Sequence, residues 1–158
     1  MQLYRFSPLK TAEECLQVFD YIDERLRELS SLVIEEKPPV NTLKIFAHYQ
    51  DEYVFIKNWV DSVGKSEDGG SSTSYYVKPF RPMTIHDDPI EYVGIRVPDP
   101  YRAHVGCGDY VVENYEEFKA KYLGNSPYTR EVPHEKYEML ELYHPDIDVL
   151  GYIVKEYN

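Results

Sequence analysis

The spacing of apolar residues predicts a leading helix: Leu16, Phe19, Ile22, Leu26 and Leu29 recur at three- and four-residue steps. Thr11-Ala12-Glu13-Glu14 before them has the spacing of a capping box, in which the Thr11 hydroxyl and the Glu14 carboxylate exchange backbone bonds. Asp20, Asp23, Glu24, Arg25, Arg27 and Glu28 fall elsewhere on the wheel and read as a solvated face. Ser30-Ser31 weakens the helix and Pro38-Pro39 ends any continuation. In Thr42 to His48 the pattern changes to alternation, with Leu43, Ile45 and Ala47 set against Lys44 and Phe46, which predicts a strand. Asp51 to Val63 returns to helical spacing, with Val54, Phe55, Trp59 and Val63 as its buried side and Gly64 as its stop.

Lys65 to Ser74, containing Gly69-Gly70, reads as a loop. Ser74 to Phe80 is a Tyr-rich strand. Ile90 to Val97 is another, with Ile90, Tyr92, Gly94 and Arg96 on one face and Glu91, Val93, Ile95 and Val97 on the other. Pro98-Asp99-Pro100 breaks the sheet, since neither proline donates to a ladder. His104 to Val112 is a strand interrupted by Gly106 and Gly108. Asn114 caps a helix from Tyr115 to Leu123, and Tyr128 to Val132, Tyr137 to Tyr143 and Leu150 to Tyr157 are the closing strands. Each of the second and third helices follows one strand and precedes several. That order predicts an α+β fold: an N-terminal helix, then two βαβββ-like units forming a curved, mixed and mostly antiparallel sheet. The expected divisions are an N-terminal helical segment, 1–38, a first module, 39–98, and a second, 99–158, all within one structural domain.

Charge narrows the partners. The 158 residues carry 17 Lys and Arg against 28 Asp and Glu, a net −11. Nucleic-acid and anionic membrane surfaces are therefore poor partners. No apolar run reaches the length of a membrane span, no signal peptide is visible, and Cys15 and Cys107 fit a reducing compartment, so the expected location is cytoplasmic. The 16 tyrosines suit half-exposed strands or a contact surface. Gly-rich phosphate loops, Cys-x-x-Cys pairs, nucleophile elbows and His-Glu-x-x-His are absent, so the sequence specifies no reaction.

Ile90-Glu91-Tyr92-Val93-Gly94-Ile95-Arg96-Val97-Pro98-Asp99-Pro100, the opening of the second module at Val105 to Phe118, and Leu142-Tyr143-His144-Pro145 carry a family resemblance. The chain from Val40 onward resembles the vicinal-oxygen-chelate (glyoxalase/dioxygenase) superfamily, and within it the YecM-like branch. Active members of that family hold a divalent metal in a half-barrel cup, through His, Glu or Gln on the first and last strands of each module. The resemblance places those positions near Asn41-Thr42, at Arg96 or Gly94, at Cys107 or His104, and at Glu141 or Leu142. An Arg aimed into a metal cup repels a dication, so the usual ligand quartet reads as lost and no metal cofactor is favoured.

The expected function is then binding of a small organic ligand, an anion among the candidates. Arg96, Arg102, Asp109 and Glu141 would supply polar contacts, with Tyr92 and Tyr110 as walls. Against this stand plain alternatives: an ion pair for each Arg, a solvated strand face for Glu141 and simple burial for Cys107. A second reading is a divalent-metal enzyme of isomerase, lyase or dioxygenase type, with ligands shifted to His48, His104, Asp109, Glu141 and His144. A third is an acidic, Tyr-rich protein–protein interaction module. A homodimer is compatible with all three.

Overall fold

The computed structural model describes residues 4–67 and 70–155. Gly69, and residues 156–157 at the end of the last expected strand, lie outside the described residues. Helix α1 runs Ala12–Val33. Thr11 Oγ1 accepts from Glu14 N at 3.1 Å, while the Glu14 carboxylate takes Lys10 N and the Thr11 hydroxyl, a variant of the expected reciprocal box. The helix continues past Ser30-Ser31 because both hydroxyls donate back to the Arg27 carbonyl instead of competing for the next turn. Its buried stripe is Cys15, Val18, Phe19, Ile22, Leu26 and Leu29. Leu16, expected on that stripe, is 49% exposed, and Asp23, expected on the solvated face, is fully buried.

Strand β1 is Val40–Phe46 and helix α2 is Gln50–Val63. The buried side of α2 is Glu52, Ile56 and Val60; Val54 is exposed, and Phe55, Trp59 and Val63 are partly buried at its flanks. Glu52 accepts Leu9 N and His48 N, each at 2.7 Å, and so ties the N-terminal segment to the start of α2. The first half continues with β2 (Gly64–Lys65), β3 (Ser74–Pro79), β4 (Met83–Ile85), β5 (Asp88–Ile90) and β6 (Tyr92–Arg96). The β4–β5 hairpin was not expected. Its turn is made by His86 and Asp87 in the left-handed region, at φ 48° and 70°, without the Gly or Asn that would announce it. The second half is β7 (Gly106–Tyr110), α3 (Tyr115–Tyr122, capped by Asn114), β8 (Thr129–Val132), β9 (Met139–Leu142) and β10 (Val149–Val154).

One sheet has the order β2-β3-β6-β1-β7-β10-β9-β8. Each half contributes a βαβββ set to this sheet, the β4–β5 hairpin of the first half standing outside it, and the two sets meet where β1 lies antiparallel to β7. The parallel pairs are β1 with β6 and β7 with β10, the first and last strands of each unit. The fold is α+β with a curved, mixed and mostly antiparallel sheet. Among the described residues no helix is long and apolar enough to cross a membrane.

Helix α1 lies over the middle strands and α2 over β3 and β6, on one face of the sheet. Leu43, Ile45, Val93, Ile95, Leu140 and Ile153 meet the helices there, in the main core. Gly106 and Gly108 let α1 come close: a Cβ at either would overlap Ile22 or Leu26 on one side and the β1 backbone on the other.

Candidate functional site

Strand parity sends the alternate residues to the opposite, concave face. Thr42, Lys44 and Phe46 of β1 lie opposite Tyr92, Gly94 and Arg96 of β6; Thr42 and Lys44 also lie opposite Asp109 and Cys107 of β7. Leu150 and Tyr152 of β10 continue the row beside Cys107 and Asp109, and Glu141 of β9 lies beside Tyr152. The sheet curls far enough for loops from its two ends to touch. Ser72 N donates to Glu135 Oε1 at 2.9 Å, and Lys136 Nζ donates to the Gly70 carbonyl at 2.7 Å.

The middle of this face is filled. Phe46, Cys107, Met139 and Tyr152 form a second apolar cluster, separate from the main core. The Arg96 guanidinium lies 4.9 Å from the Phe46 ring centre and 5.3 Å from that of Tyr152, and Arg102 lies 4.7 Å from Phe46. These are cation–π distances. Arg96 Nε is buried and, among the described residues, has no hydrogen-bond partner. Burial pushes the Cys107 thiol up, which keeps it protonated and unreactive at neutral pH.

On one side of this plug lies a cavity of about 540 Å³, whose lining includes Thr42, Lys44, Tyr76, Tyr92 and Asp109, with Tyr110, Tyr115 and Tyr137 also bordering it and the acids Glu67, Glu91 and Glu113 at its rim. Lys44 Nζ sits 5.0 Å from the Tyr76 ring, and Tyr76 meets Tyr92 edge-on at 5.6 Å. Burial pushes the Asp109 carboxyl up, opposed by the fields of Lys44, Arg96 and His134. Neither Lys44 nor Asp109 is in an ion pair among the described residues, although most of the acids around α1 and α3 are paired.

The structure sorts the expected residues. Arg96, Asp109 and Tyr92 come together on the concave face. Glu141 also faces it, but Arg130 Nε donates to its Oε1 at 2.7 Å, so its carboxylate is engaged. Tyr110 borders the cavity, but its ring is not a wall of it: it follows Asp109 on the same strand, so the ring goes to the helix face, where its hydroxyl donates to the Leu26 carbonyl at 2.5 Å. Arg102 sits in the loop between β6 and β7, at the far side of Phe46, with Nη1 donating to the Val97 carbonyl at 3.2 Å. Lys44 and Tyr76 were missed. The signal was present, since Lys44 alternates with Leu43 and Ile45 on a central strand, but a lone strand Lys reads as solvated.

The shifted metal set is not gathered. His48 Nδ1 meets the Ser7 hydroxyl at 2.7 Å and its Nε2 meets the Arg102 carbonyl at 2.8 Å. Glu141 is held by Arg130, and His144 packs on Tyr128 at 4.8 Å. Among the described residues, the group of His and acidic side chains close enough to share an ion is Asp20, Glu24 and His86, exposed on the outer side of α1. The last strand of the second unit is β10, so the position that the family resemblance gives to Glu141 belongs to Leu150 or Tyr152. With Lys44, Arg96, Cys107, Asp109 and Tyr152 around the centre, the donor set carries two fixed cations and does not fit a dication.

No family model matches the chain, and no curated protein matches it. A solved structure titled "Structural Genomics, Protein EC4020" is similar, with 12% identity, a TM-score of 0.68, and coverage of 99% of this chain and 93% of that one. A Streptomyces coelicolor methylmalonyl-CoA epimerase variant in complex with 2-nitronate-propionyl-CoA aligns at 10% identity and a TM-score of 0.39, over 77% of this chain and 99% of that one. The first likeness establishes a shared fold alone.

Proposed function

We propose that this chain is a small-molecule-binding protein of vicinal-oxygen-chelate-like fold, built on the YecM-like pattern of a strand ending in Pro-x-Pro. Residues 39–98 and 99–158 act as its paired modules, and residues 1–38 as a helical segment packed on both. The ligand is a small polar organic molecule bearing a negative group, and it occupies the cavity of about 540 Å³ without a metal. The observation that carries this reading is the floor of that cavity. Lys44 and Asp109 stand there without an ion pair among the described residues, in a protein of net charge −11 that pairs many of its other charges.

An unpaired Lys and a desolvated carboxyl each cost free energy in the empty protein, and a ligand that meets both removes that cost. Lys44 receives the carboxylate or phosphate oxygen. Asp109 takes a hydroxyl or amide of the same molecule, and Arg96 adds positive field from beneath. Tyr76 and Tyr92 offer ring faces to the body of the ligand. The test is isothermal titration with a panel of hydroxycarboxylates, aromatic carboxylates and phosphomonoesters, on the wild type and on Lys44→Gln. Saturable binding that weakens at least tenfold in the variant is expected. Binding that is undiminished in Lys44→Gln, or no binding across the panel, contradicts the reading.

A further inference from the structure

A separate cavity of about 400 Å³ lies at the end of β1, beyond the Phe46 plug. Its lining includes Arg5, His48, Arg102, His104 and Asp148, with Val18, Ile45 and Phe46 as apolar walls and residues 4–9 along one side. The carboxylate present is already spent. Asp148 accepts from the Tyr21 hydroxyl at 2.8 and 2.9 Å and from Arg25 Nε at 3.3 Å, and pairs with Arg5 at 3.3 Å. His48 has both ring nitrogens engaged, by Ser7 and by the Arg102 carbonyl, and Tyr4 stacks on it at 3.8 Å.

That leaves Arg102 and His104. The Arg102 guanidinium rests on Phe46 with one bond to a backbone carbonyl and no carboxylate partner among the described residues. It also feels the like charge of Arg96, which lies against the same ring. His104 is half-buried, and burial, against the opposing fields of Glu141 and Asp148, favours its neutral form, which keeps one N–H to donate. A cation held beside another cation in a half-closed cavity carries an electrostatic cost that the ring face, the Val97 carbonyl and the more distant Asp99 offset only in part. An oxyanion on Arg102 removes it by forming charge-assisted bonds and by screening Arg102 from Arg96.

We infer that this second cavity is an oxyanion site, in which Arg102 grips a carboxylate or phosphate group and His104 donates a further hydrogen bond. The site is independent of the larger cavity, because Lys44, Asp109, Tyr76 and Tyr92 do not line it. Its geometry suits a small free anion or the acidic head of a slender metabolite, since Phe46, Ile45 and Val18 close its inner side.

The test is a nuclear magnetic resonance titration of the full chain, reading the His104 imidazole and the Arg102 Nε–H signals. Inorganic phosphate and succinate are added in separate arms, each against sodium chloride at matched ionic strength. Saturable shifts at both residues are expected in at least one arm, and the arm that saturates at lower concentration identifies the head group. Arg102→Gln should weaken that binding at least tenfold, Arg102→Lys should weaken it less, and Lys44→Gln should leave it unchanged. The Arg102 backbone carbonyl that holds His48 survives these substitutions, and an unchanged His48 signal verifies the fold. Shifts no larger than those with chloride, or a saturable shift that survives Arg102→Gln, overturn the inference. Loss of binding in Lys44→Gln as well would assign the anion to the larger cavity and overturn it too. Failure here leaves the Lys44 test of the larger cavity standing on its own.

Discussion

The two faces of the central sheet treat polar groups differently. On the helix side, buried polar atoms are mostly committed to structural partners. Tyr110 bonds to the Leu26 carbonyl, Asp88 takes Arg27 and the Val40 amide, and Glu52 takes two backbone amides. On the concave side, among the described residues, the partly buried Lys44 and Asp109 have no ion pair, and the buried Arg96 Nε has no hydrogen bond. An unsatisfied buried polar group costs about 1–3 kcal/mol, a cost that the concave face carries at Arg96 Nε. The helix face holds the fold, and the concave face bears the partly buried, unpaired charges on which the proposed ligand site rests. Asp23, Tyr122 and Thr129 depart from the pattern. The Tyr122 hydroxyl and Thr129 Oγ1 are buried with no hydrogen bond among the described residues, and Asp23, fully buried on the helix side, has an ion pair with Arg27 at 3.3 Å but no further partner there.

The contrast breaks or sharpens under substitution. The largest effect is expected at the junction of α1 with the sheet. Leu26→Ala leaves a cavity over Gly108 and should lower the unfolding free energy by about 2–5 kcal/mol in urea melts. A loss below about 1 kcal/mol would mean that the helix face is not the structural one. Next is Tyr110→Phe, which leaves the Leu26 carbonyl without that donor and should cost about 1–2 kcal/mol with ligand binding intact. A loss of binding with stability preserved would return Tyr110 to the ligand site.

A smaller effect is expected from Asp23. Burial, and then the neighbouring Asp88 carboxyl, hold its carboxyl well above the usual carboxylate range. A raised folded pKa contributes stability that is full below the unfolded value, about 3.9, and is lost as pH rises through the folded value. Unfolding measured from pH 5 to pH 9 should therefore show stability falling toward high pH, and Asp23→Asn should flatten that slope. An unchanged slope would show that Asp23 does not titrate in this window. The smallest stability effect is expected on the concave face. Asp109→Asn and Lys44→Gln should each change the unfolding free energy by no more than about 0.5 kcal/mol, or stabilise the empty protein.

Much of this architecture could be read from the chain because its signals are local. The spacing from Phe19 to Leu29, the Thr11 and Asn114 caps and the alternation around Leu43 to Ile45 each describe one element. The order of those elements then implied the paired units. The site was harder, because a concave face is assembled from strands far apart in sequence. Parity already ruled out Asp109 and Tyr110 facing the same way, yet a strand tyrosine looks like a wall from either side. Arg102 lies in a loop, where periodicity says nothing about direction. Glu141 faces the cup as its strand position permits, but its capture by Arg130 depends on the β8–β9 register. Asp23 looked solvated because neighbouring charges on a helix mask the one position that turns inward.

The central claim is that the concave face serves a ligand and the helix face serves the fold. The most direct test is a thermal-shift screen of small organic anions on the wild type and on the Lys44→Gln, Asp109→Asn double variant. The account predicts that compounds stabilising the wild type lose their effect in the double variant, whose ligand-free melting temperature stays within a few degrees of the wild type. A full thermal shift retained in the double variant, or a ligand-free collapse like that of Leu26→Ala, would contradict it.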